Sequence, residues 1–93
     1  MFKPLAELVG TFVFLSIILF VVNKKISLAP LIIGLALCGL IFIVGPISGG
    51  HLNPAVSLMF YLNKSISLNE LVLYIVSQLI GSILAFFIIT NIV

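Results

Sequence analysis

The sequence predicts an all-α membrane protein with three transmembrane helices and one re-entrant half-helix that carries Asn53-Pro54-Ala55. Three observations lead there. Of the 93 residues, 63% are hydrophobic and 6% charged, whereas a soluble domain carries roughly 25% charged residues. Three apolar runs are long enough to span, since ~20 helical residues at ~1.5 Å each cross a hydrocarbon core of ~30 Å. Between the last two lies a glycine-rich loop followed by an apolar stretch too short to cross. Residues 1–93 therefore read as one unit whose solvent is lipid.

The first helix is expected over about 5–22, after Lys3-Pro4, with Glu7, Gly10, Thr11 and Ser16 as its only interruptions. A weak basic leader, the early Glu7 and the absence of a small-residue cleavage site before Lys24 argue for a retained helix over a signal peptide. The second run, 28–44, is about 17 residues, near the lower limit for a span. Pro30 falls in its first turn, where a missing N–H costs little, and Gly45-Pro46 is expected to end it. Residues 46–62 read as a re-entrant loop and half-helix. The apolar part, Pro54 to Leu62, reaches only ~14 Å. Its loop must be packed in protein or line a watery cavity, because unpaired backbone groups are not tolerated in lipid. Ser67-Leu68-Asn69-Glu70 fits a capping box that opens the last span, 68–91.

Composition removes several classes. One cysteine, Cys38, gives no intrachain disulfide framework or thiolate cluster. Two acids (Glu7 and Glu70), one histidine (His51), no aspartate and no arginine supply neither converging metal ligands nor paired titratable groups. No enzyme, metal or cofactor is expected. The net charge of +2 is small and scattered, which argues against a nucleic-acid surface. Small residues recur at four-residue spacing (Ala6/Gly10, Gly34/Cys38, Ser77/Gly81/Ala85), which allows close helix contact in a membrane. Polar residues line up as Glu7/Thr11 and Tyr74/Gln78/Ser82, faces expected to meet protein or water rather than lipid.

The informative segment is Ser48 to Ser57. Asn53 suits an N-cap: its side-chain oxygen can accept from the first turn while its NH₂ keeps two donors outward. Pro54 then takes the first helical position. Gly49 and Gly50 permit backbone conformations that turn carbonyls toward a lumen. A row of acceptors ending in donors, at the positive end of a helix dipole, suits a neutral hydrogen-bonding solute better than a cation.

These residues resemble the first half of the aquaporin, or major intrinsic protein, family. Ala6-Glu7 with Gly10-Thr11 is similar to the family's first-helix signature, Ser48 to Ser57 to its first re-entrant motif, and Tyr74, Gln78, Gly81 and Ser82 to its third helix. The resemblance implies an aquaporin-like hemi-channel, the three-span unit that the family duplicates in inverted orientation. It implies that Asn53 is a pore donor within Asn53-Pro54-Ala55, that Gly49, Gly50, His51 and Leu52 present carbonyls to the pore, and that Glu7 braces the loop, with Thr11, Gln78 and Gly81 as further support. Two departures stand out. The chain carries one repeat, and Val56 holds the place where the family's second repeat has an arginine. A pore built only from this chain would be lined at its filters by Ile33, Gly50 and Val56.

The expectation is a passive channel for water or small neutral solutes such as glycerol. Its membrane partners would be a second copy, as an antiparallel homodimer or a larger homo-oligomer, or a complementary half-channel. With Lys3 and Lys64 at one end and Lys24 and Lys25 at the other, orientation is poorly specified, which favours dual insertion. The alternative is a non-conducting partner subunit of another membrane protein or a truncated, inactive half.

Overall fold

The structure, a computed structural model, describes residues 2–93. These residues form four helices: α1 (Phe2–Asn23), α2 (Ala29–Ser48), α3 (Pro54–Leu62) and α4 (Leu68–Ile92). Three of them, α1, α2 and α4, are long and apolar enough to cross a membrane. The protein is thus an integral, multi-pass membrane protein. Its long axis measures 39 Å, against ~40–45 Å for a bilayer with its headgroup regions.

α1 and α4 lie side by side and parallel. At one end Lys3 Nζ contacts Glu70 Oε2 at 3.2 Å, and at the other Phe20, Asn23 and Lys24 gather with Ile89 and Thr90 around one cavity. α2 runs the opposite way on the other side of α1, with Ile32 facing Phe20 and Val21 and Ser48 facing Glu7. After α2 the chain turns back into the bundle. Leu52 packs on Gly10, eight residues or ~12 Å up α1 from Phe2, and Ser57 meets Gln78 ten residues along α4. α3 then leads back to the end where Lys3 and Glu70 meet. The segment therefore enters and leaves at the same end, the geometry of a re-entrant half-helix.

Two boundaries differ from the sequence expectation. α1 begins at Phe2 because Pro4 occupies its first turn, where no intrahelical N–H is needed. α2 does not stop at Gly45-Pro46; it runs through Pro46 to Ser48. Proline crowds both the N–H and the Cβ of the residue before it, and Gly45 lacks the Cβ, so part of that clash is absent. The helix ends three residues later on Gly49, at φ 95°, whose N–H bonds back to the Gly45 carbonyl.

The other two turns share one device. At the end of α1, Ile26 N–H donates to Val21 O and Lys25 N–H to Val22 O; at the end of α3, Ser65 N–H donates to Phe60 O and Lys64 N–H to Tyr61 O. Both are Schellman caps, with a left-handed lysine (Lys25 at φ 54°, Lys64 at φ 63°) where glycine is usual. A non-glycine residue in that region costs on the order of 1 kcal/mol. α4 opens on a capping box in which Ser67 and Glu70 satisfy each other's backbone N–H groups.

Backbone proximity holds α1 to α4. A Cβ on Gly81 would sit 2.7 Å from the Leu8 carbonyl oxygen and 3.1 Å from Phe12 N, so only glycine permits this approach. Gly34 on α2 has nothing within 4 Å and makes no such contact. Gly81→Ala is expected to push the two backbones apart and cost about 1–3 kcal/mol, while Gly34→Ala stays within about 0.5 kcal/mol of the parent. Thermal unfolding of the two variants in detergent, followed by circular dichroism, checks the contrast.

Candidate functional site

One carboxylate organises the loop between α2 and α3. Glu7 projects from α1, is fully buried (0% exposed), and accepts four hydrogen bonds. Its Oε2 receives Ser48 Oγ (2.6 Å) and His51 N (3.0 Å); its Oε1 receives Leu52 N (2.8 Å) and Gln78 Nε2 (3.0 Å). Every neighbour is a donor, which is what a buried carboxylate requires. Three elements and the loop converge on this one group.

The bonds also fix where the loop's carbonyls point. Gly50 N–H turns to Ser48 Oγ at 3.3 Å, and the N–H groups of His51 and Leu52 turn to Glu7. No peptide bond among the described residues is cis, and across a planar trans peptide the carbonyl points opposite to the N–H. The carbonyls of Gly49, Gly50 and His51 are therefore directed away from the Glu7 cluster, and they accept no bond among the described residues. Leu52 carries left-handed backbone, φ 55°, and buries its side chain on Gly10, where a Cβ would stand 2.7 Å from Leu52 Cδ2. Gly50 is buried at φ 64°, with Ile41 Cα 3.3 Å from the place a side chain would take. Glycine is needed there on both counts.

Below the loop, a second set of contacts ties α3 to α4. Gln78 Nε2 also donates to Ser57 Oγ (2.9 Å), and Ser57 Oγ lies 2.8 Å from His51 Nδ1. Ser57 Oγ thus accepts from Gln78 and shares a further hydrogen bond with His51 Nδ1, whose direction follows the imidazole tautomer. The imidazole is stacked on Phe60 at 4.7 Å and tilted against Tyr74 at 4.9 Å. The Tyr74 hydroxyl donates to Ser48 O at 2.6 Å. His51 is thus held by two aromatic rings and at one nitrogen.

Asn53 caps α3. Its Oδ1 accepts from Ala55 N at 2.8 Å, and Pro54 fills the first helical position. The side chain is exposed, and Nδ2 donates to nothing among the described residues. Two free donors thus sit beside the free carbonyls at the positive end of α3. Such a surface bonds neutral groups that both donate and accept.

Not every expected residue gathers here. Ala55 is exposed and Val56 half-buried in the first turn of α3. Thr11 is buried, yet its hydroxyl has no partner among the described residues; it backs Gly81 by packing, with Cβ 3.3 Å from the place a side chain there would take. Ile33 lies eleven residues before Val44 on α2, ~16 Å from the level where Val44 faces Gly10, so it stands toward the Lys24 end, apart from the loop. Ser48 and Ser57 bound the informative segment and Tyr74 lies in the polar stripe, but the sequence assigned none of the three a role in the site. A serine in a helix has many bland uses, and only the fold brings these to Glu7 and His51.

The chain matches the family described as Major intrinsic protein over residues 2–93. It belongs to the major intrinsic proteins. The relatives of this major intrinsic protein include glycerol uptake facilitator protein-like 6 of Lactiplantibacillus plantarum, 43% identical over 89% of the chain. Nodulin-26 of Glycine max is 42% identical over 89% of it, and aquaporin-5 of Sus scrofa 39% over 84%. The matches cover 40%, 34% and 32% of those relatives' own lengths, less than half in each case. No solved structure matches the chain significantly.

Glu7→Ala leaves four donors facing each other without an acceptor. A loss of about 3–5 kcal/mol is expected, the usual result of removing one partner from a buried polar cluster. Thermal unfolding in detergent reads the loss, and faster proteolysis at Gly49-Gly50 locates it in the loop.

Proposed function

We propose that this chain supplies one half of a passive pathway for water or small uncharged solutes such as glycerol, with Asn53 and the carbonyls of Gly49, Gly50 and His51 as its solute-facing groups. Leu52, Pro54 and Ala55 shape the same turn, and Ile33 and Val56 give the flanking positions an apolar lining. The observation that carries this reading is the division of the loop: its N–H groups are consumed by Glu7 and Ser48, while its carbonyls and the Asn53 amide are left free. The family of the chain supports it, as do relatives named for glycerol uptake and as aquaporins. A solute shed of water regains hydrogen bonds along such a row, whereas the positive end of α3 opposes cations. Nothing here calls for bond-making chemistry; the reading is a channel, not an enzyme.

A half-helix that enters from one end reaches only part-way, so a continuous path needs a second one from the opposite face. We assign that role to a second copy in inverted orientation. Lysines are balanced, Lys3 and Lys64 at one end against Lys24 and Lys25 at the other, so the positive-inside preference does not choose between orientations. Two inverted copies place two Asn53 caps and two helix N-termini at the midplane. A second reading, assembly with a different membrane protein, is favoured by the open small-residue face of α2 around Gly34 and the exposed Cys38.

Stopped-flow light scattering of liposomes holding only this chain tests the pathway. Flux above empty liposomes is expected, and Asn53→Leu is expected to reduce it to background while the helical circular dichroism is kept. Unchanged flux in Asn53→Leu sinks the assignment of the pore groups. For the inverted pair, a C-terminal reporter is expected on both sides of the membrane in comparable amounts; a single orientation rejects the homodimer and leaves the pathway to a different partner.

A further inference from the structure

We propose that the turn between α3 and α4 is a binding site for the phosphate of an anionic phospholipid, with Lys64 as its cation and Tyr61, Ser65 and Ser67 as its hydroxyl donors. The site is a cavity of about 570 Å³ lined by these residues together with Leu62, Ile66 and Glu70. It opens at the end of the bundle where Lys3 and Glu70 form their ion pair, the level at which the flanking charges of membrane helices meet lipid headgroups.

The donors in the cavity are unspent. Lys64 makes no ion pair among the described residues. The Tyr61 hydroxyl has no hydrogen-bond partner among them. Ser65 Oγ accepts from Asn63 Nδ2 and Ser67 Oγ accepts from Glu70 N, so both hydroxyl protons remain free. The one carboxylate is already committed: Glu70 Oε2 faces Lys3 and Oε1 accepts from Ser67 N. An ammonium and three hydroxyl donors suit an anion with several oxygens, and at this depth the abundant one is a lipid phosphate.

The backbone offers a clean way to remove the cation. Lys64 occupies the left-handed position of the α3 cap, φ 63°, where glycine adopts the same turn without strain. Glycine at this position would ease the turn, so replacing Lys64 by glycine removes the cation without a cost in folding. Lys25 holds the matching position at the end of α1, on the opposite face of the membrane, and provides an internal control of equal charge and equal strain.

Lys64→Gly separates the two roles, because it removes the cation while easing the turn. The full chain in detergent is titrated with phosphatidylglycerol or phosphatidylcholine, and bound lipid is counted by native mass spectrometry. Phosphatidylglycerol is expected to bind in preference. Lys64→Gly is expected to weaken it about five-fold with thermal stability equal or raised, Tyr61→Phe to weaken it less, and Lys64→Arg and Lys25→Gly to bind as the parent does. Equal binding by Lys64→Gly and the parent overturns the site. Equal losses in Lys64→Gly and Lys25→Gly also overturn it, in favour of diffuse surface charge. Displacement of the lipid by millimolar inorganic phosphate overturns the assignment to lipid in favour of free phosphate.

Discussion

The carboxylate of Glu7 is the constraint on which the rest of the structure depends. A charged group buried among helices is expensive unless every lone pair is met, and here four donors from α2, the loop and α4 meet them. The same bonds decide the loop's conformation. Without an acceptor behind it, the glycine-rich segment could turn its N–H groups anywhere. With Glu7 in place they turn inward, and trans-peptide geometry sends the carbonyls outward. The local chemistry of the candidate pathway is thus set by a residue that takes no part in it.

Glycine at two helix contacts makes that arrangement reachable. Gly81 lets α4 come against the α1 backbone, which brings Gln78 within 3.0 Å of Glu7. Gly10 leaves a recess for Leu52, which seats the loop at the depth where its amides reach the carboxylate. Both contacts are steric in origin, and in a membrane such close packing carries the association that the hydrophobic effect supplies in water. The Ser57–His51–Tyr74 contacts then hold α3 against α4, so that the half-helix cannot rotate its cap away from the loop.

Much of this was legible in the chain because few forces act on a membrane segment. Run length and apolarity define the three spans, and the length of Pro54–Leu62 excludes a fourth crossing. The Asn53 cap and the Ser67/Glu70 box are local devices whose partners lie two and three residues away, so their spacing suffices. The end of α2 differs from the sequence expectation for an equally local reason: Gly-Pro commonly stops a helix, yet a glycine before proline lacks the Cβ that is part of the clash, and α2 continues to Ser48.

What the sequence by itself determined is the class of solvent, the number of spans, the half-length of α3 and its cap, since each follows from hydropathy and short-range hydrogen bonding. What only the tertiary structure decided is which residues meet. Glu7 and Gln78 are 71 positions apart and Glu7 and Leu52 are 45 apart; nothing in local spacing distinguishes Ser48 and Ser57 from other serines, or Gly81, whose Cβ would strike a carbonyl, from Gly34, which faces open space. Long-range partners are chosen by where packed backbones come closest, and that distance exists only once the helices are assembled.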